Sequence, residues 1–160
     1  MAKFQTIGKG MDDYLASLGN LLYRADGIGG KAVYEGAKIV ADKLRSNIEA
    51  LPVHTGPVKG SRDPFQVEKD GMLAGLGIAK MRNDGGFINV KIGMDGYDDH
   101  ITDRYPQGHP NAMIARTINT GSTWMKRYPF INNAVTATRS AAEEKMKEVI
   151  EKGIAETMRD

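Results

Sequence analysis

Apolar residues recur at intervals of three and four in the first third of the chain. After Asp12 and Asp13, whose charge suits a helix N-terminus, the apolar positions are Tyr14, Leu15, Leu18, Leu21 and Leu22. From about residue 30 onward they are Val33, Ala37, Val40, Leu44, Ile48 and Leu51. This spacing places the apolar side chains on one face of a helix. We therefore predict two amphipathic helices, separated by a glycine turn at residues 27–30 and ended by Pro52.

A short strand and a β-hairpin are predicted from residue types and turn chemistry. Residues 3–7 are predicted to form the strand, followed by a turn at Gly8-Lys9-Gly10. The two strands of the hairpin are predicted at about residues 72–82 and 87–94. Asn83-Asp84-Gly85-Gly86 joins them, because Asn and Asp before Gly supply the positive φ of a tight turn.

Two more helices are predicted in the second half of the chain. The shorter one covers about residues 109–119, with an apolar side made of Met113, Ile114 and Ile118. The longer one covers residues 130–158, and a narrow stripe that permits close helix packing is formed by Ala142, Met146, Val149, Ile150, Gly153 and Ile154. The predicted fold class is α+β: a small antiparallel sheet packed against two long helices, with shorter helices and long loops.

Two long loops interrupt these elements. Residues 52–70 are rich in proline, glycine and charge, and residues 95–108 carry an acidic cluster. Loops of this length are usually functional or become ordered against a partner. A chain of 160 residues is long enough for one domain. We expect a single domain over residues 1–160, with loops 52–70 and 95–108 mobile until a partner binds.

Composition and charge exclude several classes of protein. The chain has 22 basic and 20 acidic residues, and a net charge of +2 is too small to indicate a specific nucleic-acid partner. There is no cysteine, which excludes disulfides, Cys-ligated zinc and a thiol nucleophile. No apolar run has the length of a signal peptide or a membrane span. We expect a protein made in the cytoplasm, without a membrane partner.

Candidate catalytic and metal centres are weak. His100 lies beside three aspartates, Asp98, Asp99 and Asp103, and this set could bind a divalent metal ion. A solvated acidic loop is the favoured interpretation, because no helix fixes these side chains. His54 and His109 lie in loops rich in proline and glycine, where surface placement is expected. We predict no catalytic residue, no metal, no cofactor and no enzymatic activity.

Residues 104–142 form the most distinctive segment of the sequence. They contain no acidic residue, the only Trp, and five basic residues: Arg104, Arg116, Lys126, Arg127 and Arg139. Trp and Arg are enriched at the centres of protein interfaces. We predict that Trp124, Lys126, Arg127 and Arg116 contact a neighbouring subunit or partner. The alternative is a small nucleic-acid-binding protein that stacks bases on the aromatic residues of the same segment.

Several short motifs follow one another in a recognisable order. The first is a short strand followed by Gly and an amphipathic helix, from Phe4-Gln5-Thr6-Ile7-Gly8 to Leu22. Ala50-Leu51-Pro52-Val53-His54-Thr55-Gly56, with Ser61 beyond it, looks like a Pro-x-x-Thr-Gly-x-Leu-x-x-Ser signature. Ile118-Asn119-Thr120-Gly121-Ser122 is similar to a Glu-Phe-Gly-Thr element, and Tyr128-Pro129-Phe130-Ile131-Asn132-Asn133-Ala134 to a His-Pro-Phe-Leu-x-Pro-Ala helix start. Over nearly its whole length the chain resembles the small neck or tail-completion proteins of tailed phages, the HK97-like head-tail joining family.

This resemblance implies a structural role without catalysis. The expected function is to join phage head and tail, as a tail-completion or neck ring subunit acting through protein–protein contacts. Its expected partners are neighbouring neck and tail proteins, in a homo-oligomeric ring in the virion, with a monomer expected for the isolated subunit. The resemblance also implies a structural role for Thr55, Gly56, Ser61, Gly121, Pro129 and Phe130.

Overall fold

The computed structural model describes the backbone of residues 2–159 and the side chains of residues 11–159. The described helices are α1 (Ala2–Glu49), α2 (Gln66–Gly75), α3 (Asn111–Thr120) and α4 (Phe130–Thr157). Four short strands lie between α2 and α3: β1 (Leu76–Ile78), β2 (Arg82–Asp84), β3 (Phe87–Asn89) and β4 (Ile92–Met94). The predicted α+β fold class is confirmed.

Helix α1 is continuous, so the predicted strand at residues 3–7 and the predicted turn at residues 27–30 are both wrong. No proline occurs before Pro52, and each further residue of a growing helix adds a hydrogen bond. The glycines at 29 and 30 serve packing instead of turning the chain. A Cβ on Gly30 would overlap Met81 Sδ, and one on Gly29 would lie 2.8 Å from Ile88 Cδ1.

Helices α1 and α4 pack side by side in opposite directions. Near the start of α4, Asn47 Nδ2 donates to Phe130 O at 2.9 Å. Further along, Gly36 lies against Met146, and Gly153 against Ile28. Gly153, a member of the stripe predicted on α4, therefore allows close packing, and Gly36 on α1, which was not predicted to, does the same.

The predicted hairpin is confirmed, but its arms are shorter and interrupted. β1 pairs with β4 and β2 pairs with β3, both antiparallel. Gly85 and Gly86, with φ of 67° and 92°, form the two-residue turn that the right-handed twist of a hairpin favours. Asn83 and Asp84, predicted to supply the positive φ, lie in β2 instead, and neither has a positive φ. The first arm begins at residue 76 and not at 72, because α2 continues to Gly75. The predicted end of loop 52–70 is therefore also wrong, because α2 begins at Gln66.

The core lies where the C-terminal half of α1 meets α2, α3, the β1–β4 ladder and the start of α4. Its buried members are Leu44, Ile48, Leu51, Met72, Leu76, Met94, Ile114, Ala115, Ile118, Met125, Phe130 and Ala134. Both α3 and α4 begin and end within two residues of the predicted positions. The loops that surround this core carry most of the residues predicted to contact partners.

Candidate contact surface

The loop after α1 is hydrogen-bonded to the loop before α4, although the two are far apart in the sequence. Arg62 N donates to Trp124 O at 3.0 Å, and Lys126 N donates to Arg62 O at 2.9 Å. Within the first loop, His54 N donates to Pro64 O at 2.8 Å, and this hydrogen bond joins the two ends of the loop. We call residues 52–65 and 121–129 together the loop junction.

A buried ion pair lies beneath the loop junction. Arg62 Nη1 and Nη2 donate to the two carboxylate oxygens of Glu68, at 2.7 and 2.6 Å. The Arg62 side chain is 9% exposed and that of Glu68 1%. Glu68 Oε2 also accepts from Phe65 N at 2.8 Å, at the start of α2. This two-pronged geometry is the strongest form of ion pair in proteins, and it fixes the loop to α2.

Aromatic rings lie over the same guanidinium group. Its central carbon is 3.7 Å from the centre of the Phe65 ring and 5.5 Å from that of Trp124. A guanidinium group in such a position is attracted by the electron-rich ring face. The Arg62 guanidinium group therefore contacts the Trp124 ring, while 45% of the area of Trp124 stays exposed.

A second ion pair joins the two loops nearer the surface. Asp63 accepts from Lys126 Nζ at 3.1 Å and from the Tyr128 hydroxyl at 2.5 Å. The Tyr128 hydroxyl, followed by Lys126, lowers the pKa of Asp63. The same hydrogen bond to the Asp63 carboxylate raises the pKa of Tyr128 from 10.0 to about 12. Lys126 is therefore part of the internal structure of the loop junction as well as of its surface.

The Tyr128–Asp63 hydrogen bond predicts a specific pH dependence. Because the pKa of Tyr128 is raised on folding, its stabilising effect is complete below pH 10 and is lost as the pH rises towards 12. We expect Tyr128→Phe to cost ~1.5 kcal/mol at neutral pH. Denaturant unfolding of both proteins between pH 8 and pH 12 is the measurement. The difference between them should shrink above pH 10, and a constant difference would contradict this role.

The other predicted contact residues are also placed by the structure. Arg127 is exposed in the loop junction, and Arg116 is exposed on α3, one turn before its last residue. In the described part of the chain, neither makes an ion pair. The structure therefore brings Trp124, Lys126 and Arg127 together on one loop, with Arg116 on the preceding helix.

The residues predicted to be structural differ in their environments. Gly121 ends α3 with φ of 79°, and a Cβ there would lie 2.9 Å from Arg127 Cβ. Pro129 directly precedes α4, and Phe130 is 4% exposed in the core. Gly56 has φ of 92°, which favours glycine. Thr55 and Ser61 are exposed.

The three histidines lie in one row of rings and are half-buried, so the expected surface placement of His54 and His109 is wrong. Phe65 is in edge contact with His54 and with His100, at 5.6 and 6.0 Å between ring centres. His100 is 5.1 Å from His109, which is 4.6 Å from Tyr105. Loops 52–70 and 95–108 therefore pack against each other through these rings.

Asp98 corrects the interpretation of the acidic loop. Asp95, Asp99 and Asp103 are exposed, as a solvated loop requires, but Asp98 is 3% exposed. Its Oδ1 accepts from His109 N at 2.6 Å, and its Oδ2 lies 3.4 Å from His109 Nδ1. The carboxylate thus holds the end of loop 95–108 in place. Asp98 and His109 are far apart within an irregular segment, so no periodic pattern in the sequence indicates their contact.

Neither a cluster of metal-ligating side chains nor a membrane-spanning helix is present among the described residues. No group of three or more His, Asp or Glu side chains in that part of the chain is arranged to hold a metal ion. No helix there has both the length and the apolar character needed to cross a membrane. Comparisons with models of known families, with curated proteins and with solved structures found no match to this chain.

Proposed function

We propose that this chain is a structural protein of a tailed-phage virion, a tail-completion or neck ring subunit that joins head and tail through protein–protein contacts. The observation that carries the proposal is the meeting of its short motifs in space. Tyr128 N donates to Ile118 O at 2.8 Å, and Asn119 Oδ1 accepts from Ile131 N at 3.0 Å. Segments that resemble the phage family are thus parts of one structural unit.

The surface of the loop junction supports a role in protein contact. Trp124 is half exposed and is held by the buried Arg62 side chain, so little ordering of this large ring would oppose binding. Arg127 lies three residues further on, and Val58 in the first loop is 54% exposed. Exposed Trp and Arg residues are typical of the centre of a protein interface.

The charge arrangement favours a protein partner over nucleic acid. Of the five basic residues in segment 104–142, Lys126 is paired with Asp63 and Arg139 with Glu143. The carboxylates of Asp63 and Glu143, which both lie outside segment 104–142, thus offset part of its positive charge. Binding to single-stranded nucleic acid relies on a positively charged groove along the backbone. We expect no retention on single-stranded DNA at low salt, and salt-sensitive retention would favour the alternative.

Virion location is tested by the composition of purified particles. Mass spectrometry of particles that have been separated from the lysate should detect this chain together with head and tail proteins. The amount per particle should correspond to a single ring and not to the much larger number of copies that a tube protein needs. A chain found in the lysate but absent from finished particles would contradict the proposal.

A further inference from the structure

Helix α1 extends well beyond the end of α4. The last turn of α4, at Thr157, lies beside Tyr23 and Arg24 of α1, whereas α1 begins at Ala2. Residues 2–22, which we call the arm, therefore run past α4 for about 30 Å at 1.5 Å per residue. Large apolar side chains of the arm are exposed: Met11 by 56%, Tyr14 by 53%, Leu15 by 57% and Leu22 by 79%.

The arm carries a regular repeat of apolar positions. In steps of three and four without interruption, these positions are Phe4, Ile7, Met11, Tyr14, Leu18, Leu21, Ala25, Ile28 and Ala32. A seven-residue repeat of this kind forms the seam of a coiled coil. The final positions are covered within the chain, since Ile28 packs against Gly153 of α4 and Ala32 is 1% exposed. The repeat that α4 covers at one end thus continues along the arm, where Met11 and Tyr14 are more than half exposed.

An apolar groove marks the point where α4 ends. It has a volume of about 370 Å³ and is lined by Leu21, Leu22, Ala25, Ile28, Gly29, Ile150 and Ile154. Leu21, Ala25 and Ile28 belong to the repeat, so the groove and the exposed face of the arm are one continuous surface. A helix that continued the path of α4 would cover both.

We propose that the arms of two copies of this chain pack against each other in opposite directions, each filling the seam of the other beyond the end of α4. The arm is self-complementary because the same repeat supplies both sides of the contact. Its direction follows from α4. If the partner arm runs opposite to α1, its N-terminal end lies near residue 22, where α4 begins to cover the seam. A partner arm running the same way would continue into the space that α4 already fills.

This contact is separate from the head-tail joining function. A two-fold contact pairs identical surfaces and cannot by itself close a ring of head-to-tail subunits. It also differs from the monomer expected for the isolated subunit. The arm contains none of the residues of the loop junction, so either proposal can fail while the other stands.

The first test is the mass of the full-length protein in solution. Sedimentation velocity should give a dimer, and Met11→Glu with Tyr14→Glu should raise the dissociation constant at least about 30-fold by placing like charges at the centre of the contact. Both side chains are more than half exposed, so circular dichroism should show an unchanged fold. Ile101→Glu, at a site 69% exposed in loop 95–108, is the matched control and should remain a dimer. A parent protein that stays monomeric up to roughly 0.1 mM, or a variant that dimerises normally, would overturn the proposal.

The second test measures direction. The chain has no cysteine, so Tyr23→Cys can carry a single nitroxide label on a side chain that is 91% exposed. If the arms run in opposite directions and cross near residue 12, the labels lie about 30 Å or more apart along the helix axis. If they run in the same direction, the labels lie within roughly 20 Å, since packed helices are 8–10 Å apart. Electron-electron double resonance distinguishes the two, and the short distance would overturn the antiparallel arrangement.

Discussion

Replacing Glu68 by Gln should lower the free energy of unfolding by about 3–5 kcal/mol, because it leaves the buried Arg62 charge without its carboxylate. Gln is close to Glu in size and can still accept from Phe65 N through its carbonyl oxygen, so the loss reports mainly on charge. The guanidinium group is held inside the loop junction by backbone hydrogen bonds on both sides of Arg62 and cannot easily reach water. Urea unfolding of the variant and its parent at neutral pH is the measurement.

An exposed ion pair provides the matched control. Glu143→Gln removes the partner of Arg139 on the surface of α4, where both side chains are more than 60% exposed. It should change stability by less than about 0.5 kcal/mol. Replacing Arg62 and Glu68 together by Met should recover most of the stability, since no unpaired buried charge then remains at this site. A Glu68→Gln protein within about 1 kcal/mol of its parent would show that Arg62 is not held as described.

Reversing the charge of Arg127 and Arg116 together should prevent heads from joining to tails. Both guanidinium groups are exposed without an ion pair among the described residues, so the protein should keep its stability to within about 0.5 kcal/mol. A contact centred on Trp124 and these arginines should lose about 2 kcal/mol or more for each residue that acts as a hot spot. Complementation of a phage lacking the gene, with a count of infectious particles, is the measurement.

The choice of residues follows from the structure. Lys126→Glu would face the Asp63 carboxylate, now 3.1 Å from the Lys126 amine, and would disturb folding as well as contact. Arg139→Glu is the control for charge reversal at one residue of segment 104–142, at a site on α4 outside the loop junction. It would face the Glu143 carboxylate, but both side chains are more than 60% exposed, so water screens the repulsion. It should complement normally. If Arg127→Glu with Arg116→Glu also complements normally, these residues do not contact the partner.

The elements that the sequence predicted correctly are those determined by the spacing of apolar residues and by turn glycines. Helices α3 and α4 follow from apolar spacing, and the hairpin turn follows from Gly85 and Gly86, whose positive φ few other residues adopt. The incorrect break within α1 was predicted from the glycines at 27–30. In the structure, Gly29 and Gly30 leave room for Ile88 and Met81 of the hairpin region. Glycine at a turn and glycine at a close approach look alike in a sequence, and only the tertiary contact distinguishes them.

The sequence indicates which residues form the candidate surface, but not the side chains that hold their loop in place. A basic, aromatic segment pointed to Trp124, Lys126 and Arg127, which the structure places on one loop. The groups that hold this loop, Arg62 and Asp63, come from a distant loop with no periodic pattern. Charge pairs of this kind depend on which loops meet around the core, and residue spacing carries no signal for that.

The central claim, that this chain joins phage heads to tails, is tested most directly by electron microscopy of the particles made by a phage that lacks the gene. We expect filled heads and separate complete tails, with joined particles restored by the parent gene supplied in trans. Joined, infectious particles in normal number without the gene would contradict the claim. Heads that fail to form at all would also contradict it, since they would place the protein at an earlier step of assembly.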